Sequence, residues 1–317
     1  MATYLLRRLL ATLPVLLLTS IIVFLLMRLL PGDPINLFLS QSQAEVSPET
    51  VEMLRREHNL DQPLYVQYMT WIGKVLSGDL GRSIQSRQHV WDVVSPRILP
   101  TAQISLIAWF LAIVVAIPVG IFSATRPNSW ADRAGTVGAL IGAAMPYFLV
   151  GGLLIYFVAL EWRLLPASGF VSPFTDPWGS VRTSLLPAIT LSFGLAAVLV
   201  RQSRSSFIDV LQHAYIKTAR AKGLGEDKVI LRHAFKNAML PVVTILGIQL
   251  VTLFSGSVVT ETIFAVPGVG RLLVNSILSR DYPIVQAVVL FITLVVVFAN
   301  LAVDVAYGWL DPRIREV

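Results

Sequence analysis

Residues 9–27 read LLATLPVLLLTSIIVFLLM, nineteen residues without a charge between Arg8 and Arg28. A helix rises about 1.5 Å per residue, so this run approaches the ~30 Å hydrocarbon core of a bilayer. It exceeds the ~7 to 15 residues of a signal-peptide apolar region, and no small-residue cleavage site follows it closely. It is read as an uncleaved first span. Five further uncharged blocks follow, at Ile98–Thr125, Ala134–Leu160, Thr183–Val200, Asn237–Thr260 and Tyr282–Val303. The pattern predicts an all-α integral membrane protein with six transmembrane helices, because in lipid each segment has to satisfy its own backbone donors and acceptors.

Composition points the same way. Of the 317 residues 55% are apolar and 14% charged, which is outside the range of soluble domains. The net charge of +6 would suggest nucleic acid in a soluble protein. Here the basic residues stand beside the spans as topology signals, so membrane lipid is an expected partner and nucleic acid is not. With no cysteine in the chain, disulfides and thiolate metal sites are excluded.

The basic residues also orient the chain. Arg7, Arg8, Arg126, Arg133, the basic stretch from Arg201 to Lys236, Arg313 and Arg315 fall on one set of segments, whereas the short segments of the other set hold Arg163, Arg182, Arg271 and Arg280. The excess marks the cytoplasmic side and predicts that both termini lie there. Residues 1–97 then comprise the first helix and an external lobe, in which Pro48–His58 reads as a helix after the cap-like Ser47. Residues 98–308 comprise a five-helix core with a loop at 201–240, and 309–317 a cytoplasmic tail. Pro14, Pro118, Pro146, Pro187 and Pro241 are read as ordinary kinks, and Gly138 with Gly142 as a close helix contact.

Chemistry is conspicuous by what is missing. The cores of the six spans lack the ionisable groups of a proton- or sodium-coupled pump; Arg201, Arg204 and Asp304, at span ends, are assigned to snorkelling. Gly73 and Lys74 lack the companions of a phosphate-binding loop, and Gly268, Val269 and Gly270 after Pro267 read as a loop. His58, His89, His213 and His233 form no paired ligand spacing. No catalytic residue, cofactor or metal is expected. A chain of this kind moves solute either as a passive channel or with energy from another subunit.

The stretch from Arg201 to Lys236 is too polar to span and is helically patterned. Phe207, Ile208, Leu211, Ala214, Tyr215, Thr218 and Ala219 recur at three- and four-residue spacing, Gly223 and Gly225 interrupt, and Glu226 and Asp227 suit the start of a second helix. The prediction is a helical hairpin projecting into the cytoplasm between the fourth and fifth spans. Its bend carries the small residues Ala219, Ala221 and Gly223, which favours docking against a protein over lying on anionic lipid.

Here the residues resemble a known family. Tyr215–Gly223 and Arg232–Pro241 are similar to the coupling loop of binding-protein-dependent ABC importer permeases, in the peptide and nickel branch, and specifically to the first permease subunit of dipeptide and oligopeptide transporters. Leu30–Pro34, Leu60–Tyr65, Gly78–Gly81, Glu261–Phe264, Pro267–Gly270, Arg280–Pro283 and Asp311–Arg315 extend the likeness along the chain. Lys217 stands where the wider superfamily has a glutamate, and Pro241 comes later after Gly223 than usual; both departures resemble the peptide branch. The resemblance implies a multi-pass protein of the bacterial inner membrane, working with a second homologous permease, two ATP-binding subunits and an external solute-binding protein. It implies alternating access for dipeptides or oligopeptides, with nickel chelates, glutathione or opines as alternatives. By the same resemblance Lys217, Thr218, Ala219, Arg220, Ala221, Lys222, Gly223 and Leu224 are the ATPase-coupling residues. Thr244, Gln249 and Ser255, polar positions of the fifth span and its neighbourhood, are candidates for the translocation path.

Two rival readings make different demands. A passive channel requires a polar or charged ring near mid-membrane, and Gln103, Gln249, Gln286 and Asn300 are too few and uneven to form one. A nonconducting assembly subunit has no use for a coupling-loop sequence.

Overall fold

The computed structural model describes residues 2–29, 35, 48–57 and 60–310. The described residues are helical apart from connecting turns and an isolated β-bridge between Arg82 and His89. In chain order the helices are α1 (Ala2–Leu29), α2 (Pro48–Glu57), α3 (Leu64–Leu76), α4 (Val90–Thr125), α5 (Trp130–Ala144) and α6 (Tyr147–Leu154), which continues as a π-helix over Ile155–Glu161. Then come α7 (Pro177–Leu211), α8 (Ala214–Ala221), a turn at Glu226–Lys228, a π-helical stretch Val229–Ala234, α9 (Phe235–Ile263), α10 (Val269–Leu278) and α11 (Tyr282–Leu310). The chain divides into two compact units, one of Pro100–Pro267 with the stretch from Phe298, the other of Ala2–Leu99 with Gly268–Val297.

Among the described residues five helices are long and apolar enough to span, and the pair from Trp130 to Glu161 makes a sixth if its halves count as one. These halves correspond to the predicted third span. They meet at 105°, so the kink expected at Pro146 is a full break. The cause is local: Pro146 has no N–H for the helix, and it forces Met145 out of the helical region, to φ −77° and ψ 124°.

The first unit is packed on α7. On its inner face Ala188, Leu191, Leu195 and Leu199 recur every three to four residues and are buried with Val242 and Leu246 of α9. Helices in lipid gain little from hydrophobic transfer, so close packing and hydrogen bonds carry their association. On α4, Ala108, Ala112 and Ala116 form a fully buried small-residue ridge, which Gly120 continues. A Cβ on Gly120 would stand 2.5 Å from Ser203 Cβ and 3.1 Å from the Arg204 backbone nitrogen, so only glycine lets α4 and α7 approach there. Gly142 is close to Ala197 and Phe193 in the same way, whereas Gly138, its expected companion, faces open space. Gln103 Nε2 adds polar links from α4 to Ser180 and Ser184 of α7, at 2.7 and 2.8 Å.

The second unit contains α2 and α3. The described part of the predicted Pro48–His58 helix is helical to Glu57, while Ser47 and His58 lie outside the described residues. Here Asp281 is buried and accepts hydrogen bonds from the Ser83 hydroxyl, from the Ile84 N–H at 3.1 Å and from the Gln85 N–H at 3.4 Å. Gly268 is the N-cap of α10, so the expected loop at 268–270 ends one residue in. The short helix that follows has no counterpart among the sequence expectations.

Candidate functional site

The hairpin begins where α7 stops. The Gln212 and His213 backbone N–H groups donate to Asp209 and Val210 carbonyls at 3.1 Å each, and His213 adopts extended angles before α8 starts. This stop resets the helical register. The single apolar face expected across residues 207–219 is therefore divided: Phe207 and Val210 are buried at the end of α7, and Ile216 and Ala219 are the buried positions of α8. Tyr215 and Thr218 face outward.

Val229, Ala234 and Ala238 close the same apolar cluster from the returning arm, with Ala124 from the end of α4. The hairpin is thus fastened to α7 and to α9 by side chains rather than hanging on its loop. Asn237 Nδ2 donates to the Tyr215 hydroxyl at 2.8 Å and ties α8 to the start of α9.

At the bend the chain makes a Schellman C-cap. Gly223 has φ +78°; its N–H donates to the Arg220 carbonyl at 2.9 Å, and the Leu224 N–H to the Ala219 carbonyl at 3.4 Å. Leu224 then folds back onto the apolar cluster. Across the bend, Arg220 forks onto Glu226 with contacts of 2.7 and 3.2 Å. The pair is exposed and contributes ~1 kcal/mol or less, but its bidentate geometry fixes the angle of the turn.

Of the eight residues expected at the coupling surface, Lys217, Thr218, Arg220, Ala221, Lys222 and Gly223 are exposed at the tip, Leu224 is half-buried and Ala219 is buried. Ala219 supports the surface from inside. A Cβ on Gly223 would meet nothing within 4 Å, leaving this spot bare. The tip offers cations, a hydroxyl and accessible backbone. Its chemistry suits docking.

Two of the three path candidates can be placed. Thr244 is exposed on α9, Gln249 is buried with Nε2 donating to the Leu195 carbonyl at 2.8 Å, and the Ser255 side chain lies outside the described residues. Among the described residues no three His, Asp or Glu side chains converge as a metal site.

Two polar pairings, one beside the hairpin and one at the opposite end of α9, escape sequence reasoning. Arg204 does not merely snorkel: its Nε and Nη2 donate to Asp132 of α5 at 2.5 and 2.9 Å, with the Arg204 side chain 31% and the Asp132 side chain 4% exposed. Asp132 Oδ2 also accepts from the Asn128 N–H at 2.9 Å, and its own N–H donates to the N-cap Ser129 hydroxyl at 3.2 Å. The run from Ser129 to Asp132 has capping-box spacing, which marks the helix start and leaves Arg204 unannounced. Glu261, in the last turn of α9 and fully buried, accepts from the Thr101 hydroxyl at 2.6 Å. It lies one residue beyond the uncharged block ending at Thr260.

Residues 116–316 match the family described as binding-protein-dependent transport system inner membrane component, and residues 1–106 match its N-terminal component. The chain is similar to the glutathione transport system permease protein GsiC of Salmonella typhimurium, 41% identical over 315 residues covering 99% of each chain. Its likeness to GsiC of Escherichia coli K12 is 40% over the same span. Among solved structures it resembles the inward-facing MetNI methionine ABC transporter, with a TM-score of 0.57 and 16% identity over 69% of this chain and 96% of that one. At that identity the likeness concerns the fold.

Proposed function

This chain belongs to the inner membrane components of binding-protein-dependent transport systems, and on that premise we propose that it carries short peptides of about glutathione's size into the cell. Membership makes it a transport subunit whose ATP hydrolysis lies in separate subunits, and it implies an ATP-binding subunit, a substrate-binding protein and a second permease. The substrate reading is carried by the 41% identity to glutathione permeases, which runs through 99% of both chains with no unmatched domain. Dipeptides and oligopeptides belong to the same proposal, because the external protein selects first and the permease passes what it is given. The experiment is uptake of labelled glutathione and of a labelled dipeptide in cells with and without this chain. Deleting it is expected to abolish most of the uptake of at least one of them. Unchanged uptake of both, with loss of nickel-chelate uptake, would move the chain to the nickel side of its branch.

In this proposal two ATP-binding subunits work from the cytoplasm, one of them docked on Lys217 to Leu224 of this chain and the other on the second permease, and the path runs between the two permeases, with Thr244, Gln249 and Ser255 as its candidates here. What supports the docking surface is a bare, exposed tip whose core residues, Ile216 and Ala219, are shared with α7 and α9. A displacement of the tip moves both helices as one body, which is what alternating access requires. The domain reading stands beside it: an external lobe within 1–97, a permease core at 98–308 and a tail at 309–317.

Orientation follows from loop charge and from how the bent pair is counted. With α5 and α6 as one span the number is even, and both termini are cytoplasmic; with the pair re-entrant, the termini would be on opposite sides. A reporter fused after Arg315 is expected to read cytoplasmic, and one inserted between Ser40 and Arg87 external. An external C-terminus would mean that the pair enters and leaves on one side, and would remove the even count.

A further inference from the structure

Within the second unit, the end of α1, the length of α3, the loop after it and the start of α11 enclose a cavity of about 310 Å³. Its polar groups are one-sided. Arg28 of α1 donates from Nε to Gln67 Oε1 at 2.8 Å, and its guanidinium lies over the Phe24 and Tyr282 rings, 4.2 and 5.0 Å from their centroids. Gln67 is itself anchored through Nε2 to the Gln62 carbonyl at 2.7 Å. So held, Arg28 keeps its Nη1 buried without an acceptor among the described residues. Gln286 of α11, a side chain only 2% exposed, likewise keeps Nε2 buried without one.

Buried polar atoms in folded proteins are nearly always paired, and an orphan in a polar cavity points to a bound partner such as an ion. Both orphans here are donors, and both residues line the same cavity. Lys74 and Arg82 add positive charge at its exposed rim. Against these stands the carboxylate of Asp79, one oxygen of which already accepts the Gly81 N–H at 2.8 Å. The complement of such a wall is an acceptor with negative charge. A guanidinium and an amide lining one cavity suit the oxygens of a carboxylate or phosphate.

We propose that this cavity binds an oxyanion, a carboxylate or phosphate borne on a small organic group. The volume equals roughly ten waters at ~30 Å³ each and sits at the small end of ligand sites, which begin near ~300 Å³; a bare inorganic ion would leave most of it unfilled. Arg28 is the penultimate residue of a membrane span, so the oxyanion comes either from a dissolved molecule or from a lipid headgroup. The recognition chemistry is shared, and the solute that the protein transports does not enter into it.

The test is thermal unfolding of the full-length chain in phosphatidylcholine nanodiscs, with added succinate or inorganic phosphate against matched chloride, and again in nanodiscs containing phosphatidylglycerol. A saturable upward shift of several degrees is expected from at least one of these. Gln286→Leu and Arg28→Gln are each expected to abolish it. Arg28→Gln also removes the stacking on two rings and can fail to fold; Gln286→Leu replaces an orphan donor by an apolar group of similar size, so without ligand it is expected to be as stable as wild type or more so. A shift with dissolved anions that is lost in Gln286→Leu assigns the site to a soluble ligand. A shift with phosphatidylglycerol alone, lost in the same variant, assigns it to lipid. No shift from any probe, or a shift that persists undiminished in Gln286→Leu, overturns the proposal.

Discussion

Uptake by a Gly223→Leu variant is expected to fall about thirtyfold, while the subunit reaches the membrane in nearly normal amount. The substitution carries two costs of different origin, and the loss of uptake counts the second. A residue with a side chain at φ +78° carries a strain of roughly 1–2 kcal/mol, borne by the bend itself. Leucine adds bulk where, within this chain, a Cβ meets nothing within 4 Å. Only a docked partner can feel that bulk, and obstructing a close contact at the centre of an interface costs about 2 kcal/mol, or roughly thirtyfold. Gly223→Ala separates the two, since it shares the strain and lacks most of the bulk. If alanine and leucine reduced uptake equally, the bend would matter for its backbone and the docking role would fall. Uptake at the wild-type rate in both would remove the coupling assignment altogether. Ala219→Glu is not an equivalent probe, because it buries a carboxylate against Ile216 and Val229 and is expected to deplete the folded subunit.

Arg204→Met is expected to destabilise the fold on the order of 3 kcal/mol. It leaves Asp132, whose side chain is 4% exposed, as a buried charge facing the Asn128 N–H and the Thr136 side chain, neither of which carries a compensating charge. The converse change, Asp132→Ala, is expected to cost less, about 1–2 kcal/mol, because the Arg204 side chain is 31% exposed and long enough to reach water. Thermal unfolding in detergent reads both losses, and the double variant is expected to lose less than their sum, as partners of one ion pair do. Equal stability of wild type and Arg204→Met would mean that the pair contributes nothing to joining α5 and α7.

The asymmetry of these two variants rests on a pair that sequence reading does not join. Arg204 is separated from Asp132 by 72 positions, and an arginine at a span end has a sufficient local explanation in snorkelling. The same holds for Asp281, which stands in the quoted Arg280–Pro283 string, and Ser83, which lies just past Gly78–Gly81: their contact joins positions 198 apart in the sequence. Legibility is highest where physics is local. Uncharged runs specify spans because lipid tolerates little else, and Gly223 specifies a bend because of its backbone freedom. It is lowest where a small local event changes everything after it: the stop at Gln212 and His213 turns Ala219 inward and Tyr215 outward, although the apolar spacing across the stop is continuous. The small-residue ridge from Ala108 to Gly120 is readable by the same rule that picks Gly138 and Gly142, yet in a span rich in alanine and valine nothing in the sequence says which stripe meets a neighbour.

The break at Met145 and Pro146 reaches beyond geometry. The uncharged block Ala134–Leu160 would extend roughly 40 Å as one straight helix, well over the ~30 Å hydrocarbon thickness of a typical bilayer. A rigid rod of that length would have to tilt or stretch the surrounding lipid. Folded at 105°, the segment presents no single rod of that length to the lipid: its excess is taken up at its own joint, and neither half alone exceeds the hydrocarbon thickness.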